Sequence, residues 1–128
     1  MAKFLIIDDS RTVRLATKMM LEKMGHVALE AGSGKLGYEL YQANPDTDFL
    51  MLDFNMPGWN GIETCKKIKE LPGSEALRVF MVTTETELDL KKLAKEVGVS
   101  AWLVKGQFDA KALGELISKF EHSLSSHK

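Results

Sequence analysis

Apolar residues run without interruption through Phe4-Leu5-Ile6-Ile7, Phe49-Leu50-Met51-Leu52, Val79-Phe80-Met81-Val82 and Ala101-Trp102-Leu103-Val104. Short continuous runs, as opposed to alternating ones, are the pattern of strands covered on both faces of a parallel sheet. A weaker, more alternating run over residues 26–31 predicts a further strand nearer the edge. Between the runs, apolar positions recur at helical spacing. Residues 10–24 place Val13, Ala16, Met20 and Met24 on one face, and Gly25 supplies a stop. Residues 34–42, 62–71, 88–97 and 110–122 behave similarly, with Leu90, Leu93, Ala94 and Val97 as one stripe and Leu113, Leu116, Ile117 and Phe120 as another. The breakers Pro45, Pro57-Gly58, Pro72-Gly73, Gly98 and Gly106 all fall between these elements. Strand and helix alternate throughout, which predicts an α/β fold: a five-stranded parallel sheet with five helices, doubly wound by right-handed crossovers.

Composition narrows the class. The 128 residues are 45% hydrophobic, enough for one core without disulfides or structural metal, and residues 1–128 are expected to form a single domain with a frayed polar tail at 123–128. Lys and Arg number 17 against 18 Asp and Glu, so no global attraction to nucleic acid or to an anionic membrane is expected. Cys65 has no second cysteine to pair with, and its position in the third helix suits a core residue. The N-terminal apolar run is too short for a signal peptide, and no run approaches the ~20 residues that span a bilayer. A soluble cytoplasmic monomer is the expectation.

Chemistry gathers at the strand ends. The first strand ends in Asp8-Asp9, the third in Asp53, the fourth in Thr83-Thr84 and the fifth in Lys105. In a parallel sheet these carboxyl ends converge on one edge, where ligands bind. Singly, each residue has a plainer role: Asp9 or Ser10 as a helix cap, Asp53 as a loop carboxylate, Thr83 as a β-branched strand residue, Lys105 as a solvated terminus. Jointly they make a site. Clustered carboxylates repel unless a cation sits among them, and oxygen donors at a solvent-facing edge suit Mg²⁺. Such a cation would neutralise an incoming phosphoryl group, Lys105 and Thr83 would contact its oxygens, and Asp53 would be the nucleophile.

The segments Phe4-Leu-Ile-Ile-Asp-Asp-Ser10, Leu52-Asp-Phe-Asn-Met-Pro-Gly-Trp-Asn-Gly61, Val82-Thr-Thr-Glu85 and Val104-Lys105 resemble the receiver domains of two-component response regulators, over essentially the whole chain. The resemblance implies a flavodoxin-like (βα)5 fold that catalyses only its own phosphorylation and dephosphorylation. It implies Asp53 as phosphoacceptor and Mg²⁺ as cofactor, held by Asp8, Asp9, Asp53 and the backbone carbonyl of Asn55. Thr83 would be the hydroxyl that moves toward the phosphoryl group, Lys105 its charge partner and Trp102 the aromatic switch. With no output domain expected and with Asn55 and Glu85 in place, the chain is most similar to the single-domain chemotaxis regulators, in which that pair accompanies self-limiting dephosphorylation. The implied partners are a histidine kinase as phosphodonor and a flagellar motor switch protein. Lys91, Lys92, Lys95 and Trp102 could form the partner surface, or the lysines could be only a solvated helix face.

The chain departs from the family pattern at Gly106, where proline usually follows the lysine, so a trans link and a more mobile loop are expected. The switch aromatic is more often Tyr or Phe; Trp102 either rotates inward, stays outward as a constant binding feature, or is simply a strand aromatic. Two other outputs stay open: a phosphorelay intermediate serving a second histidine protein, and a binding module independent of phosphorylation. An enzyme acting on external phosphate esters would need a cap or pocket that so short a chain lacks. Ala31-Gly-Ser-Gly-Lys35 fails as a phosphate loop, because Leu29 stands where the first glycine belongs and Leu36 where Ser or Thr does; Ser33 is expected to cap a helix. His26, His122 and His127 lack ligand spacing and are expected at the surface. Met19, Met20 and Met24 are expected in the core, and Trp59 near the rim of the site.

Overall fold

The computed structural model describes residues 1–84 and 88–125, with side chains over 1–84 and 92–121. Strands β1 (Lys3–Ile7), β2 (Val27–Ala31), β3 (Phe49–Asp53), β4 (Arg78–Thr83) and β5 (Ala101–Val104) alternate with helices α1 (Arg11–Lys23), α2 (Gly34–Ala43), α3 (Gly61–Lys69), α4 (Leu88–Glu96) and α5 (Ala110–Ser125). All strands pair in parallel in the order β2-β1-β3-β4-β5. This is the doubly wound sheet predicted from the pattern. Ser10, Ser33 and Asn60 each accept a backbone N–H of the first turn of α1, α2 and α3, fixing where those helices start.

Strand side chains alternate between two cores. Leu5, Ile7, Leu50, Leu52, Val79 and Met81 pack with Cys65 and Ile68 of α3 on one face. Phe4, Ile6, Phe49, Met51, Phe80 and Val82 pack with Leu21 of α1 and Leu113 and Ile117 of α5 on the other. Cys65 is fully buried and directs its thiol to the Val97 carbonyl, 3.4 Å away, as a core residue should. Burial pushes that thiol up to about 11, which keeps it unreactive.

Several expectations change. The β5 run is apolar but only half-buried along its length, because it forms the sheet edge and is not covered on both faces. On α1 the fully seated residues are Thr17 and Leu21; Val13, Met20 and Met24 are half-buried, Ala16 is exposed, and Met19 is 59% exposed and so not core. On α4, Ala94 is buried and Leu93 largely exposed, while the Leu90 side chain lies outside the described residues. α5 continues to Ser125, so residues 123–125 of the expected tail are helical, and 126–128 lie outside the described residues. No cis peptide occurs among the described residues, in keeping with the expected trans Lys105–Gly106 link.

His26 is not a surface residue. Its side chain is 9% exposed, its Nδ1 accepts the Ala2 backbone N–H at 3.0 Å, and its ring lies 5.3 Å from that of Phe4. Desolvation lowers its pKa, opposed by Glu121 at 3.9 Å and reinforced by the N-terminal ammonium. A histidine with a lowered folded pKa stabilises fully above its unfolded value, ~6.5, and loses that contribution as pH falls below it. Urea unfolding at pH 7.5 and pH 5.5 is expected to show a larger acid loss for the natural chain than for His26→Gln. The His122 side chain and His127 lie outside the described residues.

Candidate functional site

Parallel pairing brings the carboxyl ends of β1, β3, β4 and β5 side by side. Ile7 pairs with Leu52, Asp53 with Val82 and Thr83 with Val104, so the residues at and just beyond these positions share one edge. One carboxylate oxygen from each of Asp8, Asp9 and Asp53 lies within 4.8 Å of the others. Asp8 and Asp53 are buried and Asp9 is exposed. Lys105 Nζ stands 3.2 Å from Asp8 Oδ2 and 3.3 Å from Asp53 Oδ2. Thr83 is fully buried at the end of β4, and its backbone carbonyl accepts the Lys105 N–H at 2.8 Å. Backbone pairing of β3, β4 and β5 thus holds the hydroxyl strand, the ammonium and the acidic strand together.

The electrostatics follow from this crowding. Burial, then the neighbouring Asp8 charge, pushes the Asp53 carboxyl up to about 6, against the pull of Lys105 and the Asn55 backbone N–H. Burial works against the Lys105 ammonium, yet Asp53 and Asp8 outweigh it and hold its pKa above the ordinary lysine range. Three carboxylates against one ammonium leave excess negative charge in a partly desolvated place. Hard oxygen donors at this spacing, with one side open, fit a Mg²⁺ that keeps part of its water. Mg²⁺ at 100 times its Kd is expected to stabilise the chain by about 2.7 kcal/mol. Thermal unfolding with and without Mg²⁺ checks this, and the increment should shrink in Asp8→Asn.

Arg14 was not legible as a site residue. From the second turn of α1 its Nη1 donates to the Asp8 carbonyl at 2.7 Å and its Nε to Glu30 Oε1 at 3.2 Å, tying the acidic loop to β2. Gly61, present in the quoted motif, has a steric reason: a Cβ there would lie 2.7 Å from the Asp53 carbonyl oxygen and 2.8 Å from Phe54 Cα. Asn55 is exposed beside Asp53, and Glu85 lies outside the described residues. Trp102 is half-buried against the α3 and α4 core, and shares a surface depression with Lys95, Val99 and Ser100. Lys92 is exposed nearby on α4, while the Lys91 side chain lies outside the described residues. Trp59 lies across α2 and α3, its ring 5.8 Å from Tyr38 and 4.7 Å from Lys67 Nζ.

The model of the response regulator receiver domain matches residues 4–118. The chain belongs to the response regulator receiver family. This receiver domain is 38% identical over 104 residues to a chemotaxis protein CheY homolog of Campylobacter jejuni, covering 80% of each chain. Its fold superposes on the chemotaxis protein CheY4 of Vibrio cholerae with a TM-score of 0.87 at 30% identity, over 94% of this chain and 98% of that one. A second similar structure, at TM-score 0.84 and 26% identity over 93% and 89% of the chains, is a CheX-CheY-BeF3-Mg complex of Borrelia burgdorferi. A receiver domain is not a conventional enzyme; its chemistry is expected on its own side chains. No helix among the described residues of this receiver is long and apolar enough to cross a membrane.

Proposed function

We propose that this receiver is a phosphorylatable switch, acting as a cytoplasmic monomer in motility control. The observation that carries the reading is the convergence of Asp8, Asp9 and Asp53 within 4.8 Å, with Lys105 bridging Asp8 and Asp53. An Asp53 carboxylate oxygen attacks the phosphorus of a kinase phosphohistidine. The new P–O bond forms as the P–N bond breaks, and the departing imidazole keeps the electron pair and takes up a proton. Asp8, Asp9, Asp53 and the Asn55 backbone carbonyl would hold a Mg²⁺, which would supply neutralisation of the phosphoryl oxygens. Lys105 already stands at the Asp53 oxygen and meets the added charge. Burial of Asp53 limits water, and Asn55 with Glu85 would govern hydrolysis of the adduct.

Phosphorylation adds about one negative charge beyond the carboxylate it replaces, with new acceptor oxygens. The Thr83 hydroxyl turns toward them, which frees space beside β4 for Trp102 and changes the surface that Trp102 shares with Lys95. Lys92, Lys95 and Trp102, with Lys91, form the output surface toward a flagellar motor switch protein.

Pull-down on an immobilised flagellar switch peptide, with and without a phosphoryl mimic, tests the output. Binding that rises at least tenfold with the mimic supports motor control. Phosphoryl transfer to a histidine protein without peptide binding would replace it with a relay role, and equal binding in both states would replace it with a phosphorylation-independent module.

A further inference from the structure

The stripe that marks α1 as a core helix is not finished by the protein itself. Val13 and Met20 from α1 face Ile6, Met51 and Val82 of the sheet and Phe108 of the β5–α5 loop across a half-enclosed cavity of about 250 Å³. Ala16 also lines it and is exposed. The loop leaves it uncovered: Gly106 has φ 78°, and a Cβ built there would meet nothing within 4 Å. Close packing is the rule in protein interiors, and apolar cavities of ~150 Å³ already take up benzene. This one is larger, lined by eight apolar residues if Ala16 is counted, and also by charged groups.

Those groups select the occupant. Asp8, Asp53 and Lys105 also line the cavity, and Asp9 completes the acidic cluster beside them. Three carboxylates against one ammonium favour a cation and repel an anion. An aromatic ring fills the apolar part, and a short alkyl arm spans from ring to carboxylates. We infer that the cavity between α1 and the β5–α5 loop binds a small arylalkyl amine, its ring against Ile6, Met51 and Phe108 and its ammonium toward Asp8 and Asp53. The amine and a divalent cation then seek the same carboxylates, so each weakens the other by the same factor. Only this competition rests on the proposed cation reading; occupation of the cavity does not.

The probe is phenethylamine, with ethylbenzene as neutral and 3-phenylpropionate as anionic counterparts. Methyl NMR of Met20 and Met51 in the full chain reads occupancy, and a separate Mg²⁺ titration without amine checks cation binding on its own. Saturable shifts with phenethylamine, roughly tenfold tighter than with ethylbenzene and weaker still with 3-phenylpropionate, are the expected result. Ala16→Phe, placed at an exposed helix position, should fill the cavity and abolish the shifts while leaving the Mg²⁺ titration unchanged. No saturable shift, equal response to all three probes, or full binding in Ala16→Phe would each overturn the inference. Mg²⁺ binding that fails while phenethylamine still binds would sink the cation reading and leave the cavity site standing.

Discussion

Replacing Asp53 by Asn is expected to leave a folded chain that takes up no phosphoryl group. Rapid-quench intact mass after mixing with a small phosphoryl donor should show one Mg²⁺-dependent adduct in the natural chain, and none in the variant or in chelator. An amide nitrogen has its lone pair delocalised and cannot serve as the nucleophile. An adduct that persists in Asp53→Asn would move the phosphoacceptor elsewhere. The same variant should be the more stable protein at neutral pH. Asp53 titrates near 6 when folded, against 3.8 ordinarily, so the folded state holds its proton more tightly. A raised carboxyl pKa contributes stability that is fully present below the unfolded value, and it is lost as pH rises through the folded one. Asn escapes that loss. After discounting for solvent screening at the open edge, the gain above pH 6 is about 1–2 kcal/mol and fades toward pH 4. Urea midpoints across that range, measured without Mg²⁺, check both size and sign.

Gly61→Ala is expected to damage fold and chemistry together. The methyl group would press on the Asp53 carbonyl oxygen at 2.7 Å, Phe54 Cα at 2.8 Å and Met81 Sδ at 2.7 Å. A flexible methionine can move aside, but two of the three neighbours are backbone. That backbone is pinned, since Phe54 donates to the Val82 carbonyl at 2.9 Å and accepts from Gly61 N–H at 2.8 Å. Overpacking against fixed atoms costs about 3 kcal/mol. The displaced atoms belong to Asp53 and its neighbour, so any relaxation moves the Asp53 carboxylate away from Lys105. Misplacement of a reacting group by ~1 Å can cost about 10²-fold in rate. Urea unfolding and single-turnover phosphorylation of the same sample separate the two effects. Wild-type phosphorylation in a Gly61→Ala chain that unfolds at the natural urea midpoint would show that the loop has room to give.

Much of the architecture and most of the acidic site were legible before any coordinates. Continuous apolar runs such as Phe49-Leu50-Met51-Leu52 mark strands because a parallel sheet hides both faces, and the residue following each run must then sit at a strand end. Once strands alternate with helices, right-handed crossovers place Asp8, Asp53, Thr83 and Lys105 on the same edge whatever the details of packing. The motif around Asp53 carried Gly61 as a letter without its reason, which is the distance to the Asp53 backbone.

Where the pattern misled, the cause was geometry between elements. Helical periodicity says that α1 has an apolar face, but which residues are sealed depends on how far α1 stands from the β5–α5 loop. Thr17 and Leu21 are seated, while Val13, Ala16 and Met20 border a cavity. The run at β5 has the composition of a buried strand, but strand order puts it at an edge, and order is a property of the whole sheet. His26 is polar and isolated in sequence, yet the Ala2 backbone and Phe4 at the start of the chain and Glu121 near its end enclose it. Local sequence determined the elements and the chemical groups at their ends, because hydrogen-bonding geometry imposes a short period on apolar side chains. Only the tertiary structure decided which of those groups touch, how crowded they are and what space remains between them, because helix spacing and strand order are settled by packing over residues far apart in the chain.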